Sequence, residues 1–277
     1  MLKYCALSLF LRAMLQLLGH QNGLTLTYFA DEFVQPLCTG VQTMAFDIIN
    51  LVMIVVMVYA GFSLVQSREL KAKVISGVAI VAALGVLAYK YLHISAEGIT
   101  LSAPIFQQFN PFYVVALTPF SMALFGALAK KGKEPSAPRK IALGMVVATV
   151  AYIVMAVACV GLLTPNAQEL ARVAGEGATF VNANVLIYTY LILTFAELLL
   201  SPMGISFVSK VAPPQYKGMM MGGWFVATAI GNYLVSIGGN LWGDMPLWGV
   251  WSVFVGVCAV AAIFMYSMMK KLEDATK

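Results

Sequence analysis

A chain of 277 residues that is 61% hydrophobic and 10% charged lies far from soluble domains, in which about half the residues are apolar and about a quarter charged. Its 17 Lys+Arg and 12 Asp+Glu are too few to cover a water-exposed surface, so a soluble globule is excluded and lipid is the solvent for most of the chain. The net charge of +5 falls in small clusters at the ends of apolar runs, which reads as membrane topology and not as a nucleic-acid footprint.

A helix rises 1.5 Å per residue and needs about 20 apolar residues to cross the hydrocarbon core. Eight stretches qualify: residues 5–30, 46–65, 73–90, 106–129, 140–163, 185–207, 218–239 and 248–269. Long unbroken runs, in place of alternation, predict helices and not barrel strands. The expectation is an all-α integral membrane protein with eight transmembrane helices.

The first run carries Arg12, whose long side chain can snorkel to the surface, and a polar break formed by His20, Gln21, Asn22 and Gly23. Transporters place substrate at broken helices, whereas hydrogen bonding between helices needs only one or two such side chains. The second and third runs hold few polar groups beyond Asp47 and Asn50, which predicts a peripheral hairpin over 46–90. In the fourth, Gln107 precedes Asn110 and Pro111; the Asn110 amide can serve a peptide group or glue two helices together. The basic loop at 130–140, with Pro135 and Pro138, suits a stiff connector. The polar segment 164–184 allows a short surface helix around 166–174.

The sixth run contains Glu197, with Ser201 one turn later and Pro202 next to it. An acid at membrane depth costs a few kcal/mol at least, which makes it a functional candidate by default. The alternative is a Glu satisfied by a neighbouring helix. Pro202 frees the carbonyl of residue 198 and can kink the helix, so a carboxyl, a hydroxyl and open backbone share one face, as a polar cavity lining would. In the seventh run, Gly218, Gly222, Gly223 and Gly231 read as close-packing positions, and Trp224 as a cavity-lining aromatic or an interfacial anchor. Trp242, Trp248 and Trp251 read as an aromatic belt.

Nothing argues for an enzyme: the chain has no Walker A, GxSxG or HExxH pattern, and its four scattered cysteines imply neither a disulfide framework nor a metal site. Placing the N-terminus inside puts Lys3, Arg68, Lys71, Lys73, Lys130, Lys131, Lys133, Arg139, Lys140, Lys210, Lys217, Lys270, Lys271 and Lys277 on the cytoplasmic side. The outer side keeps Lys90 and Arg172 with Asp31, Glu32, Glu97, Glu169, Glu176 and Asp244. Eight spans in the cell inner (plasma) membrane, both termini cytoplasmic, satisfy the positive-inside rule.

The stretch FAELLLSPMGISFVSKVAPPQYKGMMMGGWFVATAIGNY at 195–233 resembles the tenth and eleventh helices of the proton-dependent oligopeptide transporter family, a branch of the major facilitator superfamily. HQNGLTLTYFAD at 20–31 is similar to the seventh helix, and residues 106–143 to the eighth helix and the loop into the ninth. The resemblance implies a C-terminal six-helix half carrying an inserted hairpin at 46–90 that has no family equivalent there. The N-terminal six-helix half, with the family's E-x-x-E-R motif and a lysine facing the acid of the tenth helix, has no counterpart in these residues.

By this resemblance Glu197 is the pocket acid that holds a peptide's amino terminus and takes part in proton coupling. Asn110, Ser201, Trp224 and Gln21 line the pocket, and Asp31 pairs with a basic residue of the other half at an outer gate. The implied function is proton-coupled di- and tripeptide symport, with the proton as coupling ion, no other cofactor and no metal. The implied partners are a small peptide, the lipid bilayer and the missing half. The alternatives are a facilitator for another small organic solute and a non-transporting membrane subunit.

Overall fold

The computed structural model describes residues 23–211, 214–243 and 245–274, with side chains omitted at 201–211. The chain folds as two units, Gln35–Glu134 and a discontinuous unit drawn from Met1–Val34 and Pro135–Lys277. Among the described residues six helices are long and apolar enough to cross a membrane.

In the Gln35–Glu134 unit, α2 (Ile48–Gln66) and α3 (Leu70–Leu92) form the expected hairpin, joined by three residues. Asp47 caps α2, its Oδ1 accepting from the Ile49 N–H at 2.8 Å, which satisfies a donor that a helix start leaves open. Its other oxygen pairs with Lys90 from the far end of α3. Nearer the turn, Ser76 donates to Ser63 at 2.9 Å. The segments flanking the hairpin are stitched by a short antiparallel ladder, β1 (Leu37–Cys38) with β2 (Ile99–Thr100), in register Leu37↔Thr100 and Cys38↔Ile99. Gly98 serves that crossing, with φ +76° and no room for a Cβ beside the Cys38 carbonyl.

A 3₁₀ segment Ala103–Gln108 leads into α4 (Phe109–Lys130). Phe46 packs edge-on against Phe106 and Phe109, with ring centroids 5.3 and 5.6 Å away, so α4 starts beside the start of α2 and runs parallel to it. Pro119, inside α4, has no N–H for the carbonyl of Val115. The Tyr59 hydroxyl of α2 donates to that carbonyl at 3.3 Å.

The discontinuous unit contains α1 (Thr25–Phe33), α5 (Ala137–Ala158), α6 (Pro165–Ala174), α7 (Asn184–Val211), α8 (Lys217–Leu241) and α9 (Leu247–Asp274). Its core is the bundle of α5, α7 and α9. On α5 the inward face includes four small residues, Ala142, Gly144, Ala148 and Ala151, among larger ones such as Ile141, Met145, Tyr152 and Met155. A Cβ on Gly144 would lie 2.6 Å from Leu200 Cγ and 3.0 Å from the Ala196 carbonyl oxygen, so the glycine lets α7 lie against α5. Tyr152 stacks on Trp251 at 6.2 Å and packs on Phe254 at 5.5 Å. Where α5 starts, the Ser136 hydroxyl donates to Glu273 at 2.6 Å, and the Arg139 Nε pairs with the same carboxylate at 2.7 Å. The beginning of α5 is thereby tied to the end of α9.

Several expectations are corrected. Trp251 is fully buried and belongs to the core, not to an aromatic belt, on the α9 stripe of Leu247, Val250, Trp251 and Phe254; Trp248, in the first turn of α9 and off that stripe, is 51% exposed. Gly218 and Gly222 face open space, so close packing does not explain them. The side of α8 turned to its own unit is instead Trp224, Ala227, Gly231, Val235 and Gly238, a stripe at three- and four-residue spacing. The fifth run ends as helix at Ala158, short of 163, where the chain turns into the outer segment. The expected surface helix is present as α6, capped by the Thr164 hydroxyl accepting from Ala167 N–H and closed by Gly175 at φ +78°. Most of the first expected run lies outside the described residues.

Candidate functional site

Glu197 stands midway along α7. The buried residues of that helix include Leu186, Tyr190, Leu193, Ala196 and Leu200, a helical stripe against α5. Glu197 is half-buried, three and four residues from buried Thr194 and Leu193 and so at the edge of that stripe. The contact of Leu200 and Ala196 with Gly144 fixes the turn of helix that carries the carboxyl. Backbone helix continues through Ser201 and Pro202; the side chain of Ser201 and all of Gln21 lie outside the described residues.

Trp224 is 3% exposed on α8, and Thr228 donates to its carbonyl at 2.9 Å. Asn110 is half-buried in the first turn of α4, followed by Pro111, which an opening turn tolerates because its missing N–H would have no partner there. Glu197 and Trp224 therefore belong to the discontinuous unit and Asn110 to the other.

Asp31 is exposed near the end of α1, and its carbonyl accepts from the Arg172 guanidinium of α6 at 3.2 Å. Beside it is a polar cluster that sequence reasoning missed. Glu32 accepts from the Trp242 indole N–H with both oxygens at 3.0 Å. Burial pushes the Glu32 carboxyl above its ordinary range, against the Trp242 hydrogen bond; Asp31 adds to the rise and Arg172 opposes it. Gln168 is fully buried and saturated: its amide donates to the carbonyls of Glu32 at 2.9 Å and Thr179 at 2.8 Å, and its oxygen accepts from the Thr179 N–H at 2.9 Å. Val181 N–H donates to the Phe33 carbonyl at 2.8 Å in a parallel bridge. These bonds lock the end of α1, α6 and the segment before α7 together. The one signal in the sequence was Gln168, which with Asn166 is one of two uncharged polar residues in a short amphipathic surface helix.

The model of the POT family matches residues 81–245. A peptide transporter of Yersinia enterocolitica is 30% identical over 178 residues, 62% of this chain and 33% of that protein. The dipeptide and tripeptide permease A of Erwinia pyrifoliae is 30% identical over 146 residues, 53% of this chain and 26% of that protein. A crystal structure of a peptide transporter POT in complex with sulfate superposes with a TM-score of 0.66 at 19% identity, over 98% of this chain and 40% of that one, which shows a shared fold. The chain spans about a third or less of the length of these curated relatives.

Proposed function

The chain belongs to the POT family, and from that premise we propose that it is the C-terminal six-helix half of a proton-coupled di- and tripeptide symporter, carrying an inserted hairpin at 46–90. The observation that carries this reading is Glu197, an acid set midway along an apolar helix that Gly144 holds against its neighbour. The matched region contains Asn110, Glu197, Ser201 and Trp224, and the relatives named above are peptide transporters and permeases.

A carboxylate at this depth needs a cation. A proton neutralises the carboxylate, while a peptide's terminal ammonium or a cation from the N-terminal half holds it in the charged form. Competition between proton and ammonium for Glu197, or handover from one to the other, links uptake to the proton gradient without any further cofactor. Asn110, Ser201, Trp224 and Gln21 contribute to the pocket, the Asn110 amide offering both a donor and an acceptor to peptide groups. Asp31 pairs across the outer gate with a basic residue of the N-terminal half. In this reading eight spans lie in the plasma membrane with both termini cytoplasmic, the hairpin is peripheral, and transport requires the other half, since alternating access rocks one half against the other.

In a reconstituted transporter containing both halves, Glu197→Gln is expected to abolish proton-driven dipeptide accumulation while leaving helix content unchanged. Wild-type, pH-dependent uptake by that variant would return Glu197 to a structural role. Uptake by liposomes holding only this 277-residue chain would refute the requirement for a second half.

A further inference from the structure

The hairpin and α4 leave between them a groove of about 700 Å³. Because the two helices run parallel, it follows α2 from Tyr59 to Gln66 and α4 from Thr118 to Lys130. At 1.5 Å per residue these are roughly 10 and 18 Å, the depth of one leaflet of a hydrocarbon core about 30 Å thick. Midway along the groove the walls are mostly apolar, with Phe62 on one side and Met122 and Ala123 on the other, while Tyr59, Ser63, Gln66 and Thr118 add polar groups. Gly126 widens it, since a Cβ there would meet nothing within 4 Å.

The groove ends at Lys130, an exposed lysine that forms no ion pair among the described residues. The groove's Gln66 and Lys130 ends are followed in the sequence by basic residues, Arg68, Lys71 and Lys73 after α2 and Lys131 and Lys133 after α4, against only Glu69 and Glu134. A mostly apolar trough one leaflet deep, opening on a basic rim, is complementary to a lipid whose headgroup is negative.

We propose that this groove is a binding site for an anionic phospholipid, one acyl chain lying along Phe62, Met122 and Gly126 and the phosphate meeting the Lys130 ammonium. The site lies wholly within the Gln35–Glu134 unit and does not depend on peptide transport. The surrounding cations raise the local concentration of acidic lipid, and Lys130 selects the headgroup at the groove mouth.

The test is native mass spectrometry of the whole chain in a non-ionic detergent, titrated with phosphatidylglycerol or phosphatidylcholine of the same chain length. Phosphatidylglycerol is expected to bind the more tightly. Lys130→Gln should weaken it by about fivefold, the effect of one lysine near an acidic headgroup, and leave phosphatidylcholine unchanged. Gly126→Leu should displace both lipids by filling the trough; open space around the glycine and the better helix propensity of leucine keep the fold intact, which far-UV circular dichroism checks. Ala123→Leu repeats the displacement at an independent groove position. Equal binding of the two lipids, an unchanged phosphatidylglycerol affinity in Lys130→Gln, or full retention of lipid in both groove-filled variants would each overturn the proposal.

Discussion

Helices α5 and α2 are equally apolar, yet nearly half of α5 is buried and less than a fifth of α2. Apolar character therefore tells which solvent a helix tolerates and not which neighbour it has. What separates the two is the packed face, since both expose large branched residues. Ala142, Gly144, Ala148 and Ala151 give α5 a small-residue face that α7 and α9 can approach, whereas α2 buries only Asn50, Leu51 and Ala60. In lipid, where a leucine gains nothing by leaving the acyl chains, close backbone approach supplies the packing energy that water supplies in soluble proteins.

The sharpest way to break this contrast is to add the same methyl group to both regions. Gly144→Ala places a carbon against Leu200 and the Ala196 backbone, and is expected to cost about 1–3 kcal/mol as an overpacked core does. Gly85→Ala in α3 meets open space and should be neutral or stabilising by up to about 1 kcal/mol. Reversible unfolding in mixed detergent micelles reads both; equal effects would erase the distinction between the two regions.

A smaller effect tests how the hairpin is fastened. Tyr59→Phe leaves the Val115 carbonyl without its donor, an expected loss of about 0.6 kcal/mol for a hydrogen bond between membrane helices. In a Pro119→Ala background the restored N–H of residue 119 serves that carbonyl, so the same change should cost nothing. A double-mutant cycle measures the coupling, and a Tyr59→Phe penalty that persists there would separate the hydroxyl from the proline.

The smallest effect belongs to Glu32, which is only partly screened from water. Burial raises its pKa in the folded protein above the ordinary 4.5, so between those two values the folded state binds more protons than the unfolded state. Stability is then greatest at low pH and falls as pH rises through the raised pKa. Glu32→Gln, which keeps an acceptor for Trp242, is expected to flatten that slope in pH-dependent melting; an unaltered slope would assign it to another group.

Much of the helical order was legible because span length and the flanking charges are local properties. The short helix α6 could be read from Pro165 at its start and Gly175 past its end. Helix facing was harder: Trp248 and Trp251 are one turn apart and alike in composition, and only the packing of the first turn of α9 leaves one exposed and buries the other. Harder still was the outer cluster, since Gln168, Glu32, Thr179 and Trp242 come from separate segments and no spacing rule links them. For the candidate site, the sequence nominated Glu197 on its depth, its neighbours Ser201 and Pro202 and a family resemblance, while the glycine that seats its helix lies more than fifty residues away on α5.

The discontinuity of the larger unit bears on synthesis. Helix α1 is made before the rest of the described part of its unit, and the chain then produces the 100 residues of Gln35–Glu134 before Gln168 and Trp242, which fasten α1 at Glu32, exist. Gln168 follows Glu32 by 136 residues and Trp242 by 210. At ribosomal speeds of about 5–20 residues per second, the first of these ties comes on the order of 10 s after α1 is made. During that interval the compact Gln35–Glu134 unit is the part able to settle first, and α1 must wait beside it, a natural client for membrane insertion machinery until Gln168 arrives.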